Sequence, residues 1–374
     1  MRRIALLVCC GILLGATTAG SAVRPTALST AAWKSGLTVH THVRTSTESK
    51  SRFDAHVSAL LRREYPAPLQ SLDNTLYVGL GLQPAQSRIG PALLRTARAA
   101  RVAYDPFARI VRERRSPKPA RRELVQHLVW ALAGQSYNVR RLALLRANNR
   151  DAFFAGDAVV DGLASLASGL RMPKLPQGPA ITRFMRIEQS VGLSAGRAFM
   201  AHLRYVGGKR AVANVLRTPP KTTEQVLHVD KYLQHEAARP ISLPAQIAYV
   251  DLKASETFGE LDVQALLRAF SLRGAAVAAA GWGGGKIVLY TDASGNATVG
   301  VALRWDTPQD EAEWQSIAVQ YVEKAFPNAV PRVCPAADHC WSDGTRELAL
   351  ASRGDLTTFG SGPAGELVAA TLTH

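Results

Sequence analysis

Apolar side chains recur at three- and four-residue intervals through most of the first 217 positions, and this spacing predicts helices. Phe53, Val57, Leu60 and Leu61 mark a helix over 52–64, and Leu93 and Leu94 mark a second from about Ser87 to Val102. Tyr104-Asp105-Pro106 stops it, because proline disfavours the helical conformation in the residue before it. Residues 107–114 alternate apolar and charged positions, as a short edge strand does, and Ser116-Pro117-Lys118-Pro119 turns the chain. Leu124, Leu128, Leu132, Val139, Leu142 and Leu145 then form a helical stripe broken near Gly134, which reads as two helices over 120–147. A small-residue helix follows over 151–170, and one or two more over 181–217, with a break at Gly207-Gly208.

The pattern changes after Pro219-Pro220. Thr222-Thr223-Glu224-Gln225 reads as a capping box opening a short helix, with Thr222 covering free amides and Gln225 reaching back. Beyond it come a helix over 258–270, a Gly-rich turn at 281–285, and a hairpin of 287–290 with 298–304 around Asp292–Asn296. A helix capped by Thr307-Pro308 runs to about Phe326, and two short strands flank Arg353-Gly354-Asp355. The expected class is α+β: a mainly helical domain with a short edge sheet over 51–217, then a smaller mixed helix and strand module over 218–374. Residues 23–50, rich in Ser and Thr, read as a flexible lead-in.

The 374 residues are 47% hydrophobic and 20% charged, enough for a substantial core and unlike a disordered or fibrous chain. The first 22 carry Arg2 and Arg3, an apolar run from Ile4 to Leu14, and Gly20-Ser21-Ala22, the three parts of a cleavable signal peptide, so a secreted or extracytoplasmic location is expected. An uncleaved anchor and a lipidated Cys9 or Cys10 are the alternatives, but the apolar run is short and neither cysteine follows a small residue. No later stretch supplies the roughly 18 apolar residues of a membrane span. In an oxidising compartment Cys334 and Cys340 most simply close a disulfide loop, with a Cys-His-Cys metal site through His339 as the alternative.

Lys and Arg number 45 against 29 Asp and Glu, for a net charge of +16. Between residues 91 and 150 there are fourteen Lys or Arg and three Asp or Glu. Arg112, Arg114, Arg115, Lys118, Arg121 and Arg122 are the densest part, a candidate basic rim. For an exported chain the polyanions in reach are envelope polymers and lipid headgroups, so no nucleic acid partner is expected. A solvated cationic face serving solubility is the plainer reading.

Arg121 to Gln135, written Arg-Arg-Glu-Leu-Val-Gln-His-Leu-Val-Trp-Ala-Leu-Ala-Gly-Gln, resembles the zinc-binding helix of secreted gluzincin-like (peptidase MA-like) metallopeptidases, where His-Glu-x-x-His precedes Ala-Leu-x-x-Gln. Val102–Pro106 is similar to the strand before that helix, and Ala155-Gly156-Asp157-Ala158 to the Glu-Gly-Asp-Ala run that carries the third zinc ligand. Pro219–His228, Phe258–Leu261 and Ala279–Gly284 continue the resemblance, which covers about 60–330.

On that register Gln126 and Trp130 replace the two ligand histidines, His127 the general-base glutamate and Ala155 the ligand glutamate. Zinc is therefore not expected, nor any other cofactor, because catalytic zinc needs three protein ligands and a base beside its bound water. The resemblance implies a non-catalytic homologue that binds peptide or an anionic envelope component. The rival is a hydrolase with a rebuilt metal or acid–base site from Glu123, His127 and Asp157 or Asp161. Glu123 and His127 are one helical turn apart, which also suits a plain contact within the helix. His228 and His235 suit structural hydrogen bonds. Gly281–Lys286 lacks phosphate-loop spacing, and no serine triad is present.

Overall fold

A computed structural model of the chain describes residues 23–146, 149–170 and 179–373; the signal-peptide expectation for 1–22 lies outside the described residues. The first part runs α1 (Val23–Ser35), β1 (Arg44–Glu48), α2 (Lys50–Glu64), α3 (Ala67–Gly79), α4 (Gly90–Ala99), β2 (Val102–Asp105), β3 (Ile110–Arg114), α5 (Arg121–Ser136), α6 (Val139–Leu145), α7 (Arg150–Ser168) and α8 (Ala180–Arg217). The second runs α9 (Thr223–Leu227), α10 (Val229–Leu233), β4 (Gln246–Ile247), β5 (Val250–Thr257), α11 (Glu260–Ala269), β6 (Trp282–Thr291), β7 (Ala297–Trp305), α12 (Pro308–Ala325), β8 (Val330–Arg332), β9 (His339–Ser342), β10 (Glu347–Arg353), β11 (Leu356–Gly362) and α13 (Gly365–Leu372). The protein is α+β, with a helical first part and a sheet-based second. No helix among the described residues is long and apolar enough to cross a membrane.

Helix α5 is the axis of the first part. Every residue from Glu123 to Ala133 is buried, so the helix is apolar nearly all round and wrapped on its sides by α1, α7 and β2. Helices α7 and α8 cross at closest range where Gly162 meets Gly196. A methyl group on Gly162 would lie 2.2 Å from the Gly196 backbone, which explains the small-residue composition of α7. The expected break in α8 is at Gly208, whose φ of 58° and ψ of −148° suit only glycine.

The lead-in is ordered, contrary to expectation. Ala27 and Ala31 of α1 are fully buried, and β1 pairs in parallel with β3, Arg44 opposite Ile110. Small alanines suffice for close helix packing, and a Ser/Thr-rich strand needs only its backbone to pair, so neither shows as an apolar stripe. Strand β3 is not an edge strand either: the three-stranded sheet has the order β1-β3-β2, and the lead-in supplies its missing neighbour.

The second part is an eight-stranded antiparallel sheet in the order β4-β5-β6-β7-β11-β10-β9-β8. Alternation sorts its faces: Val299, Val301, Leu303 and Trp305 of β7 face one core, while Ala302 joins Val288 and Tyr290 against α13 on the other. The Gly-rich stretch is mostly strand rather than turn. Only Gly281, at φ 77°, turns the chain, and Gly284 packs where a methyl would sit 2.3 Å from the Arg239 carbonyl. Cys334 and Cys340 are joined, with Cα atoms 5.6 Å apart.

Residue 217 does not divide the interior. The larger core takes Phe53, Leu61, Leu76, Tyr77 and Leu80 from the first part together with Leu266, Val299, Val301, Tyr321 and Phe359 from the second. Tyr321 donates its hydroxyl to the Leu80 carbonyl at 3.0 Å, and Gly79 lies directly on Val299. Helix α3, which the sequence pattern did not show, is therefore a lid on the sheet.

Candidate functional site

The positions that the resemblance assigns to zinc lie where α5 packs on α7. Trp130 is 2% exposed and donates its indole Nε1–H to Asp161 Oδ1 at 2.9 Å. Gln126, also on α5, and Ala155, on α7, are buried too. His127 is fully buried, and neither ring nitrogen has a hydrogen-bond partner among the described residues. Burial alone pushes its pKa down to about 3, so the imidazole is neutral. These side chains do not fit a zinc ion: they offer one imidazole, an amide, an indole donor and a methyl.

Nor do the rebuilt-site candidates converge. Glu123 Oε2 accepts from the Ala120 backbone N–H at 2.8 Å, holding the first turn of α5, and Oε1 lies 3.8 Å from Arg101. Asp161 is taken by Trp130. Asp157 belongs to a different buried group, where with Asp105 it opposes ionisation of Glu64 while Arg146 favours it; burial is the larger cause that pushes Glu64 well up. Among the described residues, none of these four joins a set of three possible metal ligands within reach of one ion.

The basic rim is partly internal. Arg114 is buried, with its guanidinium 2.5 Å from Asp54 and 5.2 Å over the Phe53 ring, and Arg112 pairs with Glu48 at 2.7 Å. Two positions apart on β3, Arg112 and Arg114 share one face of the strand, and that face is turned to Glu48, Asp54 and Phe53 rather than to the turn that follows. Arg115, Lys118, Arg121 and Arg122 remain exposed, with Arg121 donating to Thr30 at 2.9 Å.

A wide opening lies at the far end of α5. It has a volume of about 580 Å³ and is lined by Tyr104, Arg109, Gln135, Tyr137, Asn138, Arg140 and Arg141, among others, with no carboxylate. Local structure explains the placement. Asp105 Oδ1 accepts from the amides of Phe107 and Ala108 at 2.9 Å, tightening the β2–β3 turn that ends on Arg109 at φ 52°. Asn138 caps α6 by accepting from the Arg141 amide at 3.0 Å, which sets Arg140 and Arg141 in the first turn of that helix. The Tyr104 hydroxyl packs on Gly134, and burial pushes its pKa up to about 12, so it stays a donor. Three guanidinium groups with phenol and amide donors suit an anionic ligand.

Sequence reasoning missed this pocket because its arginines are split between a turn and a helix start some thirty positions apart. It also missed a second polar knot. Lys231 Nζ lies 2.5 Å from Glu224, 2.8 Å from Glu236 and 2.5 Å from Asp306, so an ammonium sits where the three carboxylates could otherwise hold a metal ion. Burial works against that ammonium, yet its hydrogen bonds to Asp306, Glu224 and Glu236 hold its pKa above the usual lysine range. His228 Nε2 bonds Glu260 Oε1 at 3.0 Å nearby. The Pro-Pro-Lys-Thr-Thr-Glu-Gln run thus joins parts of the fold: Thr223 donates twice to Asp151 at the start of α7, and Gln225 accepts from the Lys221 amide rather than from Thr222 as a capping box would.

Residues 248–371 match the model of a domain of unknown function, DUF8575. The matched stretch covers most of the eight-stranded sheet with α11, α12 and α13, and it contains neither the arginine pocket nor α5. No curated protein and no solved structure matches the chain.

Proposed function

We propose that the chain is an exported, non-catalytic homologue of gluzincin-like metallopeptidases, led out by a cleavable signal peptide, that binds an anionic envelope component or an acidic peptide segment in the pocket at the end of α5. What carries the reading is the composition of that pocket: Arg109, Arg140 and Arg141 around about 580 Å³, with no Asp or Glu among the lining side chains. The position of Trp130 supports the non-catalytic half, since its indole and Asp161 satisfy one another between the two helices that would hold a metal.

Two measurements test the halves separately. Titration calorimetry with polyglutamate and with polyphosphate, against uncharged dextran, should show binding to at least one polyanion that weakens as salt rises. The double variant Arg140→Gln/Arg141→Gln should lose it while unfolding like the wild type, because both side chains are exposed. Equal binding by the variant would remove the pocket from the argument. Metal analysis of protein purified without chelator should find only trace zinc; stoichiometric zinc lost in His127→Ala would overturn the non-catalytic reading and restore the rebuilt hydrolase.

A further inference from the structure

The last turn of α1 and the bend of α8 meet on the surface. Arg204 donates to the Lys34 carbonyl, and the Lys209 stem packs on Gly36, where an added methyl would lie 3.2 Å from its Cγ. Flanking these contacts in sequence are three large apolar side chains that no described residue covers: Trp33 is 75% exposed, Tyr205 90% and Val206 59%. The other five tryptophans are 4% exposed or less, so Trp33 is the exception in a chain that otherwise buries this residue type.

The charge in the sequence flanking them is of one sign. Lys34, Arg204, Lys209 and Arg210 are exposed, and no Asp or Glu occurs between 23 and 47 or between 189 and 223. Gly208, in a conformation other residues rarely adopt, bends α8 just after the exposed Tyr205 and Val206. Exposed Trp and Tyr beside a carboxylate-free set of Lys and Arg match the chemistry of a bilayer interface, where aromatic rings sit at headgroup level and cations meet anionic lipid.

We infer that this corner is a membrane-docking surface, and that the protein rests on an anionic lipid bilayer through Trp33, Tyr205 and Val206 with Lys34 and Arg210 at the headgroups. The inference does not depend on the arginine pocket, which lies at α6 and the β2–β3 turn.

The test uses protein recovered after export, mixed with vesicles of phosphatidylcholine alone or with phosphatidylglycerol added. Sedimentation should recover the protein with the phosphatidylglycerol vesicles only, and less of it as salt rises. Trp33 should report the event directly, its red-edge emission moving to shorter wavelength and becoming quenched by brominated lipid. Trp33→Ser/Tyr205→Ser should lower partitioning at least tenfold, and Lys34→Gln/Arg210→Gln by roughly fivefold for each cation removed; all four positions are exposed, so circular dichroism should match the wild type. Arg140→Gln/Arg141→Gln should partition like the wild type. Three results would each overturn the inference: no binding to phosphatidylglycerol vesicles, unchanged partitioning of the Trp33/Tyr205 variant, or loss of partitioning in the Arg140/Arg141 variant instead, which would assign the headgroup to the pocket.

Discussion

Replacing Trp130 should cost more than replacing any polar candidate around it. The side chain is 2% exposed, within the α5–α7 core that includes Leu124, Val159 and Leu163. Truncation to alanine removes an indole that close packing cannot refill, at about 3–5 kcal/mol. Trp130→Phe keeps most of that volume and loses the Nε1–H bond to Asp161, which is only half-buried and can turn to water; about 1 kcal/mol is expected for the bond. A double-mutant cycle with Asp161→Asn should return a coupling of about 0.5–1.5 kcal/mol. Guanidinium unfolding followed by far-ultraviolet circular dichroism reads all five proteins, and equal slopes would show that the unfolded states are comparable. An alanine variant within about 1 kcal/mol of the wild type would refute the reasoning, because it would mean the indole fills nothing and the space between the helices is open.

Three other substitutions probe the buried polar groups. His127→Leu should be neutral or stabilising at pH 7, since neither imidazole nitrogen is paired among the described residues. Because the folded pKa is depressed to about 3, the unfolded state binds the proton first and the wild type loses stability as pH falls below about 6.5; relative to His127→Leu the loss should reach about 2–3 kcal/mol between pH 7 and pH 4.5 in unfolding titrations. Arg150→Met should cost about 3–5 kcal/mol by leaving Asp262 and Glu188 buried without their cation, and hydrogen exchange should accelerate in both α8 and α11. Lys231→Met should lower the melting temperature in chelator and recover part of it with calcium or manganese, because Glu224, Glu236 and Asp306 then face one another unneutralised; a melting temperature indifferent to the metal would show that the three carboxylates do not act as one site.

The helices with wide apolar stripes were legible, from Phe53–Leu61 in α2 to the α5 and α6 pair, as were the β6–β7 hairpin and the Thr307 cap, whose hydroxyl accepts from the Asp310 amide. What escaped is what depends on distant partners. Helix α1 packs through Ala27 and Ala31, which carry almost no periodic signal. Helix α3 mixes Asp73, Asn74 and Thr75 with its leucines, because Asp73 is buried to receive the Tyr65 hydroxyl. Gly283–Gly285 read as a turn by composition, but strand pairing to β7 and the nearby Arg239 backbone require the missing side chains. Of the candidate site, the burial of Gln126, His127 and Trp130 was consistent with an apolar run of helix, whereas the partner of each polar atom was not. Asp161 and Trp130 are thirty-one positions apart, and no local pattern links them.

The positive charge of the chain has a similar division between what composition says and what packing does with it. Arg114, Arg146 and Arg150, all from the most basic sixty residues, are buried, and each lies over an aromatic ring: Phe53 at 5.2 Å, Tyr65 at 4.2 Å and Phe154 at 4.9 Å. A guanidinium is more weakly hydrated than an ammonium and stacks on ring faces, so arginine can serve as interior cement where lysine could not. Those charges contribute to the net +16 but present no face to solvent. The cations that do face solvent gather at separate places, among them the arginine pocket and the bend of α8. Salt dependence measured on soluble polyanion and on vesicles should therefore fall with different substitutions. If a single Arg140→Gln/Arg141→Gln exchange flattened both, the surface charge would be acting as one diffuse field, and the separation drawn from the burial of Arg114, Arg146 and Arg150 would fail.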